Sequence, residues 1–391
     1  MKIIVLGANY YQKDLVLKAK SLGYETHTFG SGKGYTEGDK MIQAARESDY
    51  FYPISVLESE AILEICRKIK PDGILTIGCD VCVPTMNYVA EKLGLIGNGI
   101  FSALVSTNKY QMKQQFREFD VPCADFILVD EKTKKHTRDL IGKRPYEKVR
   151  FPVMVKAIDQ AGKCGITKVD TSDKLEEAIE YGLKENIKAK SVLVEEFIEG
   201  KEYSAECISW NGEHTILNFT EKFNIAPHFV EIIHLQPAHL ENIEAIIKKA
   251  LTSLEIKHGA SHTEFKVTPQ GEIKIIEIGA RMAAESMWDV VDASTGNDYL
   301  KMAIDICMGI KPTIKPSENN TALVNFIMNK WDYNRLEWIK QNYPNKVYRE
   351  GYMEPLEEKE ITKNKDRFGY YVLLCNSREE GLSLVGKDST Q

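Results

Sequence analysis

The segment Ile273–Arg281, I-K-I-I-E-I-G-A-R, sets one acid, Glu277, inside an apolar run. An ionised carboxylate there costs several kcal/mol, roughly, unless a cation meets it. Just upstream, His262–Val267 reads H-T-E-F-K-V, and Thr268-Pro-Gln-Gly271 lies between the two runs. Proline pre-sets φ at the second turn position and glycine closes the turn, so the whole reads as a β-hairpin. Paired without a bulge, Glu264 falls opposite residue 275 or 277, which puts the carboxylates of Glu264 and Glu277 on one face. Two facing carboxylates repel. A hard divalent cation answers both problems, Mg²⁺ shared with nucleotide phosphates being the expected ion and Mn²⁺ the alternative. Arg281, four residues on, supplies a fixed positive fork for a phosphoryl or acyl-phosphate oxygen. The competing reading places Glu264 on the solvent side of an amphipathic strand and pairs Glu277 with Arg281 at a strand end.

With 391 residues the chain has room for two to three domains of about 100–200 residues each. Its net charge of −6 offers no basic stripe to the phosphates of nucleic acid or a membrane surface, so neither is expected as a partner. The opening M-K-I-I-V-L-G-A is too short for a signal-peptide core, and no later run approaches the ~20 apolar residues that span a bilayer. A cytoplasmic protein is the expectation. Of the eight cysteines only Cys79 and Cys82 form a C-x-x-C, with no second pair at zinc spacing. Reduced, partly buried thiols are the plainer account, with a redox or metal role as the rival.

In chain order, Lys2–Gly7, Glu25–Phe29 and Gly73–Gly78 read as strands separated by helices, which predicts a parallel, right-handed βαβ sheet. The G-A-N-Y-Y-Q after the first strand lacks the later glycines of a dinucleotide fingerprint, and Gly30–Gly34 lacks the spacing of a P-loop. Asp80 follows the third strand, where sheet ligands bind; it reads either as a substrate contact or as a helix N-cap. Further on, Pro152–Lys156 and Ile166–Val169 form a hairpin whose loop carries Gly162 and Gly165, so its backbone N–H groups suit phosphate oxygens. An ordinary turn with a solvated Lys156 is the alternative. The strand Ser191–Ile198 leads into Glu199-Gly-Lys-Glu202, whose acids suit a nucleoside's amino group and ribose hydroxyls, or else a solvated corner. A polar, proline-containing linker at 311–320 precedes a small strand-rich region.

Lys109, Lys156 with the glycine loop, E-E-F-I-E-G-K-E, Glu264 and E-I-G-A-R in this order resemble the ATP-grasp superfamily, over nearly the whole chain. The resemblance implies a fold that is α/β and α+β: a Rossmann-like domain at 1–105, a small ATP-grasp subdomain at 106–198, a large one at 199–312 and a C-terminal appendage at 313–391. It implies ATP and Mg²⁺ as cofactors. Lys109 and Lys156 would hold the α- and β-phosphates, with Gly162 and Gly165 in the closing loop. Glu195, Glu196 and the backbone of Ile198 would meet adenine, and Glu202 the ribose. Glu264 and Glu277 would bind the metal, with Arg281 and Lys156 catalytic. Many members carry asparagine two residues after the second metal glutamate; here that position is Gly279, which puts a second metal ion in question.

The resemblance also implies a carboxylate–amine ligase that passes through an acyl-phosphate and releases ADP and phosphate, with small-molecule carboxylate and amine substrates and often a homodimeric assembly. G-A-S-H-T-E and the segment 226–237 resemble the amino-acid-ligating group, so His262, His228, Glu231 and His234 join Arg281 and Asp80 as candidate substrate contacts. The alternatives are a purine-pathway or carboxylase-like enzyme activating glycine or bicarbonate, and a non-catalytic ATP-binding protein.

Overall fold

The computed structural model describes residues 1–32, 42–226, 229–238, 240 and 242–387. His228 and the end of the Gly30–Gly34 stretch lie outside the described residues. Strands β1 (Lys2–Leu6), β2 (Glu25–Phe29), β3 (Tyr50–Tyr52) and β4 (Gly73–Leu75) form a parallel sheet in the order β3-β2-β1-β4. The apolar run K-I-I-V-L is central because it has no polar face to show: Ile3, Ile4, Val5 and Leu6 are fully buried. The aromatic strand β3, at Y-F-Y, was not among the expected strands; three residues are too few to show a period. Asn9 caps helix Tyr10–Ser21 with a full capping box, which turns the chain sharply away from the strand end.

The second unit is the antiparallel sheet β5 (Phe126–Asp130), β6 (Val153–Ala157), β7 (Ile166–Val169) and β8 (Ser191–Glu196), ordered β5-β8-β6-β7. The expected glycine hairpin is β6–β7, with Lys156 opposite Ile166. Gly165 sits at φ +67, and a Cβ there would meet that of Ala157 at 2.6 Å, so no other residue type fits the turn.

The third sheet is the largest. It comprises β9 (Lys201–Trp210), β10 (Glu213–Ile225), β11 (Val230–Gln236), β12 (Gly259–Val267), β13 (Ile273–Gly279), β14 (Thr321–Ile327), β15 (Val347–Met353) and β16 (Gly369–Cys375). Their order is β13-β12-β9-β10-β11-β14-β16-β15. The C-terminal strands thus extend the sheet of the large subdomain through the β11–β14 pairing. The polar linker at 311–320 bridges them without interrupting the sheet, and Phe326, Tyr370 and Val372 share an apolar cluster with Met287 and Val290.

The helices Met287–Thr295 and Tyr299–Cys307 pack this sheet against the N-terminal domain: Trp288, Tyr299 and Ile304 join Ile3, Val5 and Leu15 in one core. At that seam burial pushes the Asp292 carboxyl up to about 7; the Tyr299 N–H opposes the rise, and Asp298 and Asp289 add to it. A raised carboxyl stabilises the fold fully below its unfolded value near 4 and loses that contribution as pH rises through 7. Asp292→Asn, which can still accept from Tyr299, is therefore expected to exceed the parent's stability at pH 8 by about 1–2 kcal/mol, discounted for partial exposure. Urea unfolding at pH 4.5 and pH 8 checks this, since the gap must close at the lower pH.

Candidate active site

A cavity of about 780 Å³ opens between the three sheets, and nearly every expected site residue in the described chain lines it. That volume suits a nucleotide with a small co-substrate. The β12–β13 hairpin forms its floor, and the register places Glu264 directly opposite Glu277. The expected facing pair is present, but the absence of a bulge is not: the pairing slips between Glu264 and Phe265, so that Ile276 is passed over. Without that slip Glu264 would face residue 276. The bulge is the device that aims two acids at one space.

Neither carboxylate stands alone. Glu277 accepts from Lys109 Nζ at 2.9 Å, so it is not the partner of Arg281. Lys109 is buried at the N-terminus of helix Lys109–Glu118, which Asn108 caps. Burial pulls the Lys109 ammonium down, yet the Glu277 charge outweighs it and raises the group above its ordinary value. Glu264 accepts from Lys222 Nζ at 2.5 Å and faces His262 Nε2 at 3.2 Å. Burial works to raise the Glu264 carboxyl, but Lys222 leads the charges that hold it well below the usual range. His262 Nδ1 lies 2.6 Å from Glu206. Burial disfavours its cation, and Glu206 overcomes that, lifting the imidazole to about 9. With a carboxylate at each ring nitrogen, the ring is an imidazolium at neutral pH.

Arg281 pairs with Asp80 at 2.5 Å across the gap between the hairpin and the N-terminal domain. Asp80 is therefore not a helix cap; it lines the cavity and fixes the guanidinium, whose Nε is buried without a hydrogen-bond partner. The bare position Gly279 matters here. A Cβ on residue 279 would lie 3.0 Å from Arg281 Cζ and 3.2 Å from Asp80 Oδ1, so the pair occupies the space an asparagine side chain would need.

On the opposite wall Lys156 donates to Glu195 at 2.8 Å, and Lys113 stands 3.6 Å from the same carboxylate. Glu195 is fully buried; desolvation works to raise its carboxyl, and Lys113 and Lys156 together keep it below its ordinary value. It is engaged by these lysines, and Glu196, Phe197 and Ile198 line the cavity beyond it. From the β6–β7 loop Lys163 reaches across to Glu202 at 3.3 Å and Glu231 at 3.7 Å. Gly162 and Cys164 frame that lysine.

At the far end Glu231 bonds His234 at 3.0 Å and Lys222 at 3.2 Å, and the buried Arg367 holds Glu285 and stacks on Phe326. Lys113, Glu206, Lys222, Glu285 and Arg367 were not among the expected residues. A signal for two of them, Glu206 and Lys222, existed in period 2. Glu202, Ser204 and Glu206 alternate along β9, and the paired registers set Glu202 against Lys222 and Glu206 against His262. Arg367 and Lys113 carried no such signal, being supplied by a loop and a helix.

The donor set fits a divalent cation beside a polyphosphate. Glu202, Glu231 and Glu264 offer carboxylate oxygens within 4.8 Å of one another, as do the ligand atoms of Glu231, His234 and Glu285. The carboxylates are hard ligands while His234 is a softer one, Glu277 stands in neither group, and Lys109, Lys156, Lys163 and Arg281 around them balance an anion.

Residues 149–289 match the family model of the ATP-grasp domain. The chain carries an ATP-grasp domain. The D-alanine–D-alanine ligase of Haemophilus influenzae is 22% identical over 236 residues, covering 57% of this chain and 77% of that protein. The alanine–anticapsin ligase of Bacillus subtilis is 26% identical over 279 residues, 64% of this chain and 57% of that one. Among solved structures, an L-amino acid ligase from Bacillus licheniformis superposes with a TM-score of 0.78 at 22% identity, over 98% of this chain and 95% of its own. Phosphoribosylglycinamide synthetase from Anaerococcus prevotii gives 0.73 at 19%, over 96% and 94%. Among the described residues, no helix is long and apolar enough to cross a membrane.

Proposed function

We propose that this chain is an ATP-dependent carboxylate–amine ligase that activates a carboxylate as an acyl-phosphate, lets an amine displace phosphate, and uses an amino acid as one of the two substrates. The observation that carries the reading is the convergence of Glu264, Glu277 and Arg281 on one cavity, with Lys109 and Lys156 beside them and the glycine hairpin above. The matching curated ligases for D-alanine and for alanine with anticapsin support an amino-acid substrate, whereas the purine-pathway and carboxylase structures share the fold alone.

Each wall has a task. Lys109 and Lys156 would hold the phosphates, with Gly162 and Gly165 letting the loop backbone approach them. Glu195 sets the Lys156 ammonium at one point. Glu196, the Ile198 backbone and Glu202 would receive the nucleoside. Glu264 and Glu277 would hold Mg²⁺, or Mn²⁺ in its place, which when bound neutralises phosphate charge. Arg281, kept in place by Asp80, stabilises negative charge on the group in transfer. His262, as an imidazolium, and Glu231 with His234 would orient the substrate's carboxylate and amino groups, and a homodimer is the assembly proposed.

The test is nucleotide product analysis with MgATP and pools of amino acids and small carboxylates, following ADP, AMP and phosphate. Pool-dependent ADP and phosphate together establish the chemistry; stimulation by bicarbonate or glycine alone favours the carboxylase-like or purine-pathway reading, and tight binding of ATP without any stimulated turnover favours a binding protein. In the same assay Gly279→Ala is expected to turn over about tenfold more slowly, because its methyl group displaces the guanidinium from Asp80. An unchanged rate would mean that the Arg281–Asp80 geometry has slack.

A further inference from the structure

The C-x-x-C of the sequence has no part in the chemistry above. The Cys82 thiol donates to Cys79 Sγ at 2.9 Å, with Cys82 buried and Cys79 half-buried. The pair brackets the short 3₁₀ turn Asp80–Cys82, Cys79 at its N-cap and Cys82 at the N-cap of helix Val83–Leu93 that follows directly, and a helix N-terminus favours a thiolate. The hydrogen bond from Cys82 holds the Cys79 thiol below its ordinary value against burial and the Asp80 charge, and the same contact raises Cys82 well above. Burial pushes Cys66 and Cys375 up to about 12, which leaves them inert.

What lies between the two cysteines gives the pair a consequence. Asp80 is the residue that grips Arg281 at 2.5 Å. The segment is tied to the arginine's own strand end twice more, by the Gly78 N–H donating to the Met282 carbonyl at 3.0 Å and by an Ile77–Met282 bridge. A change in the backbone of residues 79–82 is therefore transmitted to the guanidinium through Asp80, while residues 77 and 78 stay anchored.

We propose that Cys79 and Cys82 form a reversible oxidation site that sets the hold of Asp80 on Arg281. The Cys79 thiolate attacks one sulfur of a small-molecule disulfide and expels its partner as a thiol. Cys82 then gives its proton to solvent and attacks the Cys79 sulfur of the mixed disulfide, releasing the second thiol. Two electrons pass from the cysteines to the co-reactant, and one disulfide is formed as one is consumed. The new bond draws the sulfurs to about 2.05 Å, tightening the turn and withdrawing the Asp80 carboxylate from Arg281.

The experiment uses the full chain equilibrated with mixtures of reduced and oxidised glutathione. Thiols are blocked with a maleimide, disulfides are located by peptide mass, and the rate at which phenylglyoxal labels Arg281 is measured in parallel. Neither readout depends on the ligase reading. A single Cys79–Cys82 disulfide that dithiothreitol reverses, with labelling of Arg281 at least fivefold faster in the oxidised form, is the expected result. Cys79→Ser and Cys82→Ala should keep the slow labelling rate under both conditions, the half-buried Cys79 position serving if the buried one fails to fold. The proposal is overturned if all eight thiols stay reduced at the oxidising extreme, if the disulfide forms with the labelling rate unchanged, or if oxidation accelerates labelling equally in Cys79→Ser.

Discussion

Glu277→Gln is expected to lower ATP-dependent product formation by about three orders of magnitude, equivalent to about 4 kcal/mol of transition-state stabilisation, while costing the fold about 1–3 kcal/mol, because the buried Lys109 ammonium loses its counter-charge. The amide is the same size, so the slipped β12–β13 register is undisturbed, and its oxygen can still accept from Lys109. What disappears is a charge. The cavity then keeps the Lys109 ammonium without its nearest counter-charge, Asp80 and Glu264 acting from farther away, and a divalent cation held there would lose one of its two facing carboxylates. The apparent affinity for Mg²⁺ should fall at least tenfold with it. Steady-state ADP release across a Mg²⁺ series, read beside a urea melt, separates the outcomes: activity within tenfold of the parent at saturating Mg²⁺ would remove Glu277 from the metal site, and a collapsed melt would make it a structural residue.

That acid was visible from the sequence because it broke a local rule, an ionised group in an apolar strand, and such breaks concentrate where function overrides stability. The hairpin and its turn were legible for the same kind of reason, as short-range patterns of backbone and charge, whereas Lys109 and Lys156 were singled out only by the resemblance to the ATP-grasp order. The bulge that aims Glu264 at Glu277 was not legible, because the flanking residues Phe265 and Ile275 still pair in the plain register and the slip affects only Ile276. Long-range partners were equally hidden. Arg281 pairs with Asp80 at a separation of 201 residues, and Arg367 reaches Glu285 from a loop without periodicity. The extension of the large sheet by β14, β16 and β15 was also beyond a local reading, since the polar linker looks like a boundary although the apolar faces on either side of it continue.

Arg281→Ala should separate binding from chemistry. MgATP affinity is expected to stay within about threefold of the parent, because Lys109 and Lys156 remain, while turnover falls by about 10³-fold or more, as when a fixed donor to developing charge is removed. Arg281→Lys should recover only about tenfold of that loss, since a point charge cannot reproduce a planar fork held at one edge by a carboxylate. Truncation also strands Asp80, whose side chain is 16% exposed and whose partner stood at 2.5 Å. An abandoned carboxylate in that setting costs about 1–3 kcal/mol. The double variant Asp80→Asn with Arg281→Ala is therefore decisive: it should regain most of the lost stability and none of the lost turnover. If the double variant recovers both, the arginine acts by holding the N-terminal domain to the hairpin, and the charge on the transferred group is stabilised elsewhere. If it recovers stability alone, the guanidinium itself meets the reacting atoms, and Asp80 serves to aim it.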